Sequence, residues 1–195
     1  MQKLTFATGL VLLGLGLGAC GSEPTRNESV ANVAAGNGVA PAAAPAPTPA
    51  AAIVLEGAGL RIPSASPPRT LAFDLAEAAT VEALTRALGR PPTERGENPE
   101  CGGGGMKFAE WKGEITAWFL DGRFAGWDNK GRLETIEGIG LGSSRAQVAT
   151  LPGFEVEESS LGTEFRAGGL SGILASKAPD SKVTHLWGGA TCVFR

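Results

Sequence analysis

The sequence predicts an α+β fold of two tandem units, each a short helix followed by an antiparallel β-meander, in one continuous sheet with the helices on one face. A helical spacing of apolar residues ends at Gly89 and again at Gly153, and alternating apolar segments follow each glycine. Residues 119–127 and 165–173 also match, without a gap, at a phenylalanine and two glycines. We therefore predict repeat halves at about residues 70–131 and 132–195.

In the first half, short strands are expected at residues 53–55 and 60–62, before a proline-rich break. Thr80 then has the position of an N-cap, and Gly89 ends the helix it begins. Strands are predicted at 106–112, 114–120 and 123–128. Asp121-Gly122 is the strongest hairpin signal among them, because these residues tolerate the positive φ of a tight turn.

In the second half, Ser144 and Gln147 have the spacing of a capping box, which predicts a short helix over residues 144–152. The strands predicted after Gly153 are 155–160, 163–167, 170–176, 182–187 and 191–194. A unit of about 60 residues buries little core by itself, so we expect the two halves to share one sheet.

Residues 1–19 are typical of a secretory signal. Lys3 precedes an uncharged apolar run that is shorter than the roughly 20 residues needed to cross a bilayer. The run ends in Leu17-Gly18-Ala19-Cys20, which resembles the lipobox of bacterial lipoproteins. The resemblance implies cleavage before Cys20, a lipid anchor on its sulfur and, with Gly21 next, an outer-membrane location facing the periplasm in a Gram-negative host.

Residues 20–52 are predicted to be an Ala/Pro-rich linker, because they contain few charges and no periodic apolar face. The prolines between 41 and 49 favour an extended tether. The folded domain is then expected to cover residues 53–195, a length that supports one sizeable core.

Charge and cysteine content narrow the function classes. With 17 Lys+Arg and 20 Asp+Glu the net charge is −3, and the basic residues are scattered, so we expect no nucleic-acid partner. Once Cys20 carries the lipid, Cys101 and Cys192 remain as an even pair in an oxidising compartment. We predict that they form a disulfide, which would stabilise the fold by about 4 kcal/mol; two separate buried thiols are the alternative.

A Ser- or Thr-started helix, a glycine stop and a Trp-rich antiparallel sheet, all behind a lipoprotein signal, resemble the β-lactamase-inhibitory-protein-like fold. That group includes the inhibitor, itself a tandem repeat, and outer-membrane assembly lipoproteins of the SmpA/OmlA type. The similar segments are 79–89 and 141–153 with the strands that follow them. The resemblance implies a protein partner, either an envelope-assembly component or an inhibited enzyme, but it transfers no contact residue.

Tryptophan gives the clearest indication of a binding surface. Trp111, Trp118, Trp127 and Trp187 all lie in predicted strands, and the chain has no tyrosine. Because helices cover one face of the predicted sheet, we expect some of these rings on the other face, beside Arg123, as a partner-binding surface. Burial of all four rings in the core is the alternative.

The sequence provides little evidence for a catalytic site or a metal site. His185 is the only histidine and shares a predicted strand face with Trp187, and no free thiol remains. We therefore predict no catalytic residue, no metal site and no cofactor. The glycines of residues 102–105 lack the Gly-Lys-Ser/Thr ending and the helix of a phosphate-binding loop.

The acidic residues carry the alternative function. An envelope glycan or peptidoglycan hydrolase would need a carboxylate pair in a cleft. Its candidates near the tryptophans are Glu110, Glu114, Asp121 and Asp128. The densest acidic cluster is interpreted as a solvated strand face, with a weak calcium site or a carboxylate pair as the alternatives; it comprises Glu155, Glu157 and Glu158.

Overall fold

The structure is a computed structural model, and it describes residues 52–101 and 104–192. Several segments lie outside the described residues. They are the predicted signal, the predicted lipobox with Cys20, nearly all of the predicted linker, and Gly102-Gly103. Of the predicted last strand, Thr191 and Cys192 are described and are not in a strand. Among the described residues, the helices are all too short or too polar to span a membrane.

A small antiparallel sheet begins the described chain. Its strands are β1 (Val54–Glu56), β2 (Gly59–Ile62) and β3 (Arg69–Ala72), in the order β1-β2-β3. Leu55 pairs with Leu60, and Leu60 pairs with Leu71. All three leucines are buried, so this sheet contributes one apolar face to the main core.

The remaining strands form an eight-stranded antiparallel sheet in the order β4-β5-β6-β7-β11-β10-β9-β8. It therefore consists of two meanders that meet where β7 pairs with β11. Its strands are β4 (Glu94–Asn98), β5 (Met106–Trp111), β6 (Ile115–Leu120), β7 (Arg123–Asn129), β8 (Glu155–Ser159), β9 (Gly162–Ala167), β10 (Leu170–Leu174) and β11 (Val183–Gly189).

The first helix, α1 (Glu77–Leu88), begins four residues earlier than the sequence indicated. Thr80 is therefore not its N-cap; the Thr80 hydroxyl lies inside the first turn and donates a hydrogen bond to the Ala76 carbonyl at 3.1 Å. The C-terminal end is as predicted. Gly89 follows the last helical residue with φ 67°, the left-handed conformation that glycine adopts without strain.

The second helix, α2 (Arg145–Val148), has only four residues. Its predicted capping box is present: the Ser144 side chain accepts a hydrogen bond from the Gln147 backbone N–H, and the Gln147 side chain accepts one from the Ser144 N–H. The cap fixes where the turn starts, but the chain leaves the helical conformation after Val148.

The predicted α+β class is wrong, because the protein is mainly β. Within the described residues, eleven strands form two antiparallel sheets, and two helices accompany them. The predicted design of two helix-plus-meander units on one sheet fails at two points. The second helix is a single turn, and residues 54–72 form a separate sheet rather than joining a continuous one. No strand was predicted at β3, which is short and mostly exposed and therefore has little apolar pattern.

The main core lies on one face of the eight-stranded sheet, which we call the inner face. Side chains from this face join the small sheet, α1 and α2 in a single buried cluster. Its largest fully buried members are Trp111, Trp127, Phe119, Phe124 and Phe165. Gly188 on β11 gives Trp127 the space it needs, because a Cβ at Gly188 would come within 2.7 Å of the indole. The opposite surface of the sheet, the outer face, is where the candidate site lies.

Candidate functional site

The outer face is defined by one row of cross-strand neighbours that crosses all eight strands. The chain neighbours of these residues point inward: Ala109, Ala117 and Trp127, for example, belong to the main core. Because side chains alternate along a strand, the row itself points away from that core. It comprises Glu94, Glu110, Thr116, Asp128, Trp187, Ser171, Arg166 and Glu155.

Asp128 and Trp118 form a hydrogen-bonded pair in the middle of the outer face. The indole N–H of Trp118 donates to Asp128 Oδ2 at 2.7 Å, and Lys130 Nζ lies 3.8 Å from the same oxygen. The side chain of Asp128 is only 15% exposed. This carboxylate therefore has fixed partners and little contact with water, unlike an ordinary surface aspartate.

Burial raises the pKa of Asp128 above the ordinary aspartate value. The positive charge of Lys130, the hydrogen bond from Trp118 and the charge of His185 each lower that pKa, but together they do not offset the loss of hydration. His185 is exposed and lies on the same face, two residues from Trp187 on β11. The site is thus a partly desolvated carboxylate whose ionised form would gain from a further hydrogen-bond donor or positive charge.

We expect Asp128→Asn to make stability less sensitive to pH. Because the pKa of Asp128 is raised in the folded state, ionisation costs the wild type stability as pH rises from acid towards neutral. Asparagine keeps an oxygen for the Trp118 N–H and carries no charge. Relative to wild type, the variant should therefore gain free energy of unfolding between pH 3 and pH 7, measured by urea denaturation at each pH.

Trp118→Phe supplies the matched test of the same pair. It removes a hydrogen bond that lowers the pKa of Asp128, so its destabilisation should be greater at pH 7 than at pH 3. Combining it with Asp128→Asn should abolish that difference. Equal pH profiles for wild type and Asp128→Asn would show that this carboxyl is not perturbed.

A second, smaller apolar cluster covers part of the outer face at the β5–β7 end. Its buried residues are Cys101, Met106 and Trp118, and the ring centroids of Phe108 and Trp118 are 5.6 Å apart. The predicted disulfide is present: Cys101 is bonded to Cys192, with their Cα atoms 5.1 Å apart. This bond ties the loop after β4 to the segment after β11, next to Trp118.

The four tryptophans divide between the two faces. Trp111 and Trp127 are completely buried on the inner face, where their indole N–H groups donate to the carbonyls of Arg90 at 3.0 Å and Glu56 at 3.2 Å. A partner of the folded domain cannot reach them. Trp118 and Trp187 do lie on the outer face, as a binding surface requires.

The expected exposure of the outer-face rings is not observed. Trp118 is 9% exposed and Trp187 is 6% exposed. Alternation along the strands indicates which way a ring points, but it does not report what covers the ring. Contact of Trp118 and Trp187 with a partner therefore stays a prediction, and any such contact would begin at the residues around them.

Arg123 lies at the beginning of β7, where it pairs with Leu120. Its guanidinium donates to the Asp74 carbonyl at 3.2 Å, and its backbone forms a bridge with Ala76 just before α1. The side chain remains exposed. In this structure Arg123 holds the loop before α1 against the sheet, away from the Asp128 row.

The carboxylates proposed for hydrolysis are only partly brought together. Glu110 and Asp128 flank Thr116 in the outer-face row, two strands or about 10 Å apart. Glu114 is in the β5–β6 turn, 3.9 Å from Arg90, and Asp121 is in the exposed β6–β7 turn with φ 50°. The structure therefore offers one carboxylate pair rather than a cluster of four.

The acidic cluster of β8 is mostly paired at the edge of the sheet. Glu157 forms an ion pair with Arg166 at 3.0 Å, and Glu158 lies 3.6 Å from Lys177. Charged edge strands discourage pairing with other chains, which agrees with a solvated strand face. Within the described residues, no three His, Cys, Asp or Glu side chains are grouped as a metal site would require.

Two features of the outer face were missed from the sequence. The Trp118–Asp128 pair crosses the β6–β7 hairpin, and its signal was the strong Asp121-Gly122 turn, which brings these two strands together. Glu164 is the other: it is 2% exposed and accepts a hydrogen bond from the Ser159 hydroxyl. A single glutamate in an alternating strand gives no signal of burial.

Comparison of the chain with family models, with curated proteins and with solved structures finds no match. The lipobox and the likeness to the β-lactamase-inhibitory-protein-like group therefore stay predictions from the sequence.

Proposed function

We propose that this chain is a lipid-anchored protein of the cell envelope that acts as a protein-binding or scaffold module through the outer face of its eight-stranded sheet. The observation that carries the proposal is the Trp118–Asp128 pair at the centre of that face. A partly desolvated carboxylate among aromatic rings is an incomplete polar site, which a partner's hydrogen-bond donor would complete.

The surroundings of the pair are suited to contact with a partner. Ser171 is half-buried, and Arg166 and His185 are exposed on the same face. A centre with little water and a rim of polar side chains is the usual arrangement of a protein interface. An antiparallel sheet presents such a surface without any movement of its backbone.

The proposed location depends on Cys20 and on the compartment. Lipid attached to Cys20 would hold the domain at a membrane, with residues 21–52 as the tether. The Cys101–Cys192 disulfide supports an oxidising location such as the periplasm. In a Gram-negative host, we place the anchor in the outer membrane with the domain facing the periplasm.

The test is site-specific photocrosslinking in cells that express the full lipidated protein. A photoreactive residue at Ser171 or His185 should capture one partner, whereas one at the exposed Arg132, outside the eight-stranded sheet, should not. Ser171→Arg should reduce capture through His185 at least fivefold without lowering the amount of protein at the membrane. Equal capture at all three positions would contradict a specific outer-face interface.

A hydrolase remains the second candidate because Glu110 and Asp128 flank Thr116 on one face. Carboxylates about 6.5–9.5 Å apart suit an inverting glycosidase. Glu110 and Asp128 lie two strands apart, a separation of about 10 Å that is close to that range. Peptidoglycan cleavage by wild-type protein that is lost in both Glu110→Gln and Asp128→Asn would favour this function over the binding module.

A further inference from the structure

A groove lies between the β2–β3 connection and α1, on a part of the domain that does not include the outer face. Its volume is about 500 Å³, within the range of small-molecule sites. Much of its lining is apolar, and among the described residues Arg69 and Arg86 are its only charged lining residues. We call it the arginine groove; it is lined by Ile62, Ala65, Pro67, Pro68, Arg69 and Arg86, among others.

The two arginines come from different elements. Arg69 is the first residue of β3 and pairs with Ile62 on β2, whereas Arg86 lies in the last turn of α1. The fold therefore brings together two cations that are separated in the sequence. Because the whole chain has a net charge of −3, this local positive charge is not a reflection of overall composition.

Both guanidinium groups are available to a ligand. Arg86 has Glu82 as its partner at 3.1 Å, but both side chains are about two-thirds exposed, and such surface pairs contribute little. Across residues 52–101 and 104–192, the Arg69 guanidinium forms no hydrogen bond or ion pair. Guanidinium groups bind phosphate and carboxylate through paired hydrogen bonds, so the charged end of the groove suits an anion.

The rest of the groove suits an alkyl chain. Its wall at Pro67 and Pro68 has no backbone N–H groups, since proline has none, and Ala65, Ala83 and Ala87 provide only methyl groups. The exposed Ser64 and Ser66 add two hydroxyl groups to the lining. A peptide laid along the prolines and alanines would find no backbone N–H donor at Pro67 and Pro68 for its own carbonyl groups. A hydrocarbon needs none, and it gains free energy from the apolar surface that it covers.

We propose that the arginine groove binds an anionic amphiphile, in which an alkyl or acyl chain ends in a phosphate or a carboxylate. Phospholipids and fatty acids share this chemistry. The hydrocarbon lies along the alanines and prolines, and the anionic head lies between Arg69 and Arg86. This site is separate from the proposed partner surface, so either assignment can fail without the other.

The experiment uses the full chain carrying Cys20→Ser, so that no attached lipid competes, with the alanine methyl groups labelled for NMR. The probes are decyl phosphate and decanoate below their micelle concentrations, with decyl maltoside as the uncharged control. The methyl resonances of Ala83 and Ala87 should shift with one or both anionic probes. Tighter binding of decyl phosphate would indicate a phospholipid as the natural ligand, and tighter binding of decanoate would indicate a fatty acid.

The variants test each part of the groove. Arg69→Gln with Arg86→Gln should raise the Kd of the better anionic probe at least tenfold, whereas Arg132→Gln removes an exposed arginine elsewhere and should leave it unchanged. Ser64→Trp keeps both arginines and fills the mouth of the groove from an exposed position, so it should also weaken binding. Thermal unfolding of each variant is measured as the control that the fold is retained.

Three outcomes would overturn the proposal. Decyl maltoside that shifts the same methyl groups with the same Kd would show that the arginines recognise no head group. Unchanged binding in the double arginine variant would show the same. An acidic peptide that shifts Ala83 and Ala87 when neither anionic probe does would assign the groove to a protein segment instead.

Discussion

Replacing Cys101 and Cys192 with serine is expected to lower the free energy of unfolding by about 4 kcal/mol. The disulfide closes a loop of 91 residues, and in the chain-entropy model such a bond restricts the unfolded chain more as the loop grows. It also holds Cys101 beside Met106 and Trp118; without the bond, residue 101 would be free to move away from them. Urea denaturation followed by far-UV circular dichroism measures the loss.

Reduction of the wild type provides the control for this prediction. Dithiothreitol should lower the stability of the wild type to about that of the double serine variant, and it should not affect the variant itself. The amides of β5 and β6 should lose the most protection from hydrogen exchange, because the second apolar cluster lies on these strands. Equal stability of the oxidised wild type and the variant would contradict the predicted contribution.

Trp127→Ala is expected to cost about 3–5 kcal/mol, the range for removal of a large aromatic side chain from a core. The ring is fully buried on the inner face, and its N–H reaches the Glu56 carbonyl of β1 at 3.2 Å. One side chain therefore fills the core and links the two sheets. Trp127→Phe should recover most of the packing and lose the hydrogen bond, which contributes about 1 kcal/mol.

Gly188 allows this prediction to be tested as a pair. Gly188→Ala alone should destabilise the protein, because its Cβ would lie 2.7 Å from the Trp127 indole. Once Trp127 is alanine, the added methyl group has space, so the double variant should be more stable than the sum of the single effects implies. Strict additivity would show that the two side chains do not interact in the folded state.

Local signals in the sequence were sufficient to predict most of the individual strands. Asp121-Gly122 correctly predicted the β6–β7 hairpin, because a tight turn depends on the residues within it. The capping box at Ser144 and the stop at Gly89 were also correct for the same reason. The β4 strand was missed: its sequence from Glu94 to Asn98 carries charges on both faces and resembles a loop, as an edge strand can.

The class of the fold depended on contacts between distant residues. The capping box correctly located the start of α2, yet whether one turn or three followed depended on the packing around Val148. The separation of residues 54–72 into their own sheet is likewise a tertiary result. Hydrogen bonds such as Leu55 N–H to Glu134 C=O join this segment to chain almost eighty residues away.

The candidate site shows the same division. Alternation along β6, β7 and β11, together with the register of their pairing, places Trp118, Asp128 and Trp187 on one face. The burial of these residues does not follow from alternation, because Trp118 is covered partly by the disulfide-linked segments, which come from two separate parts of the chain. The pKa of Asp128 follows from that burial and was therefore not predictable from the sequence.

The sequence by itself determined the Asp121-Gly122 turn, the end of α1 at Gly89, the start of α2 at Ser144 and the pairing of Cys101 with Cys192, because each depends on near neighbours or on the number of cysteines available. It also carries the lipobox-like segment Leu17-Gly18-Ala19-Cys20, and the proposed location rests on that resemblance. Only the tertiary structure decided that the chain forms two sheets, that Trp127 joins them, and that Asp128 is partly desolvated beside Trp118. These features arise where residues far apart in the chain exclude water together, and no local pattern encodes that exclusion.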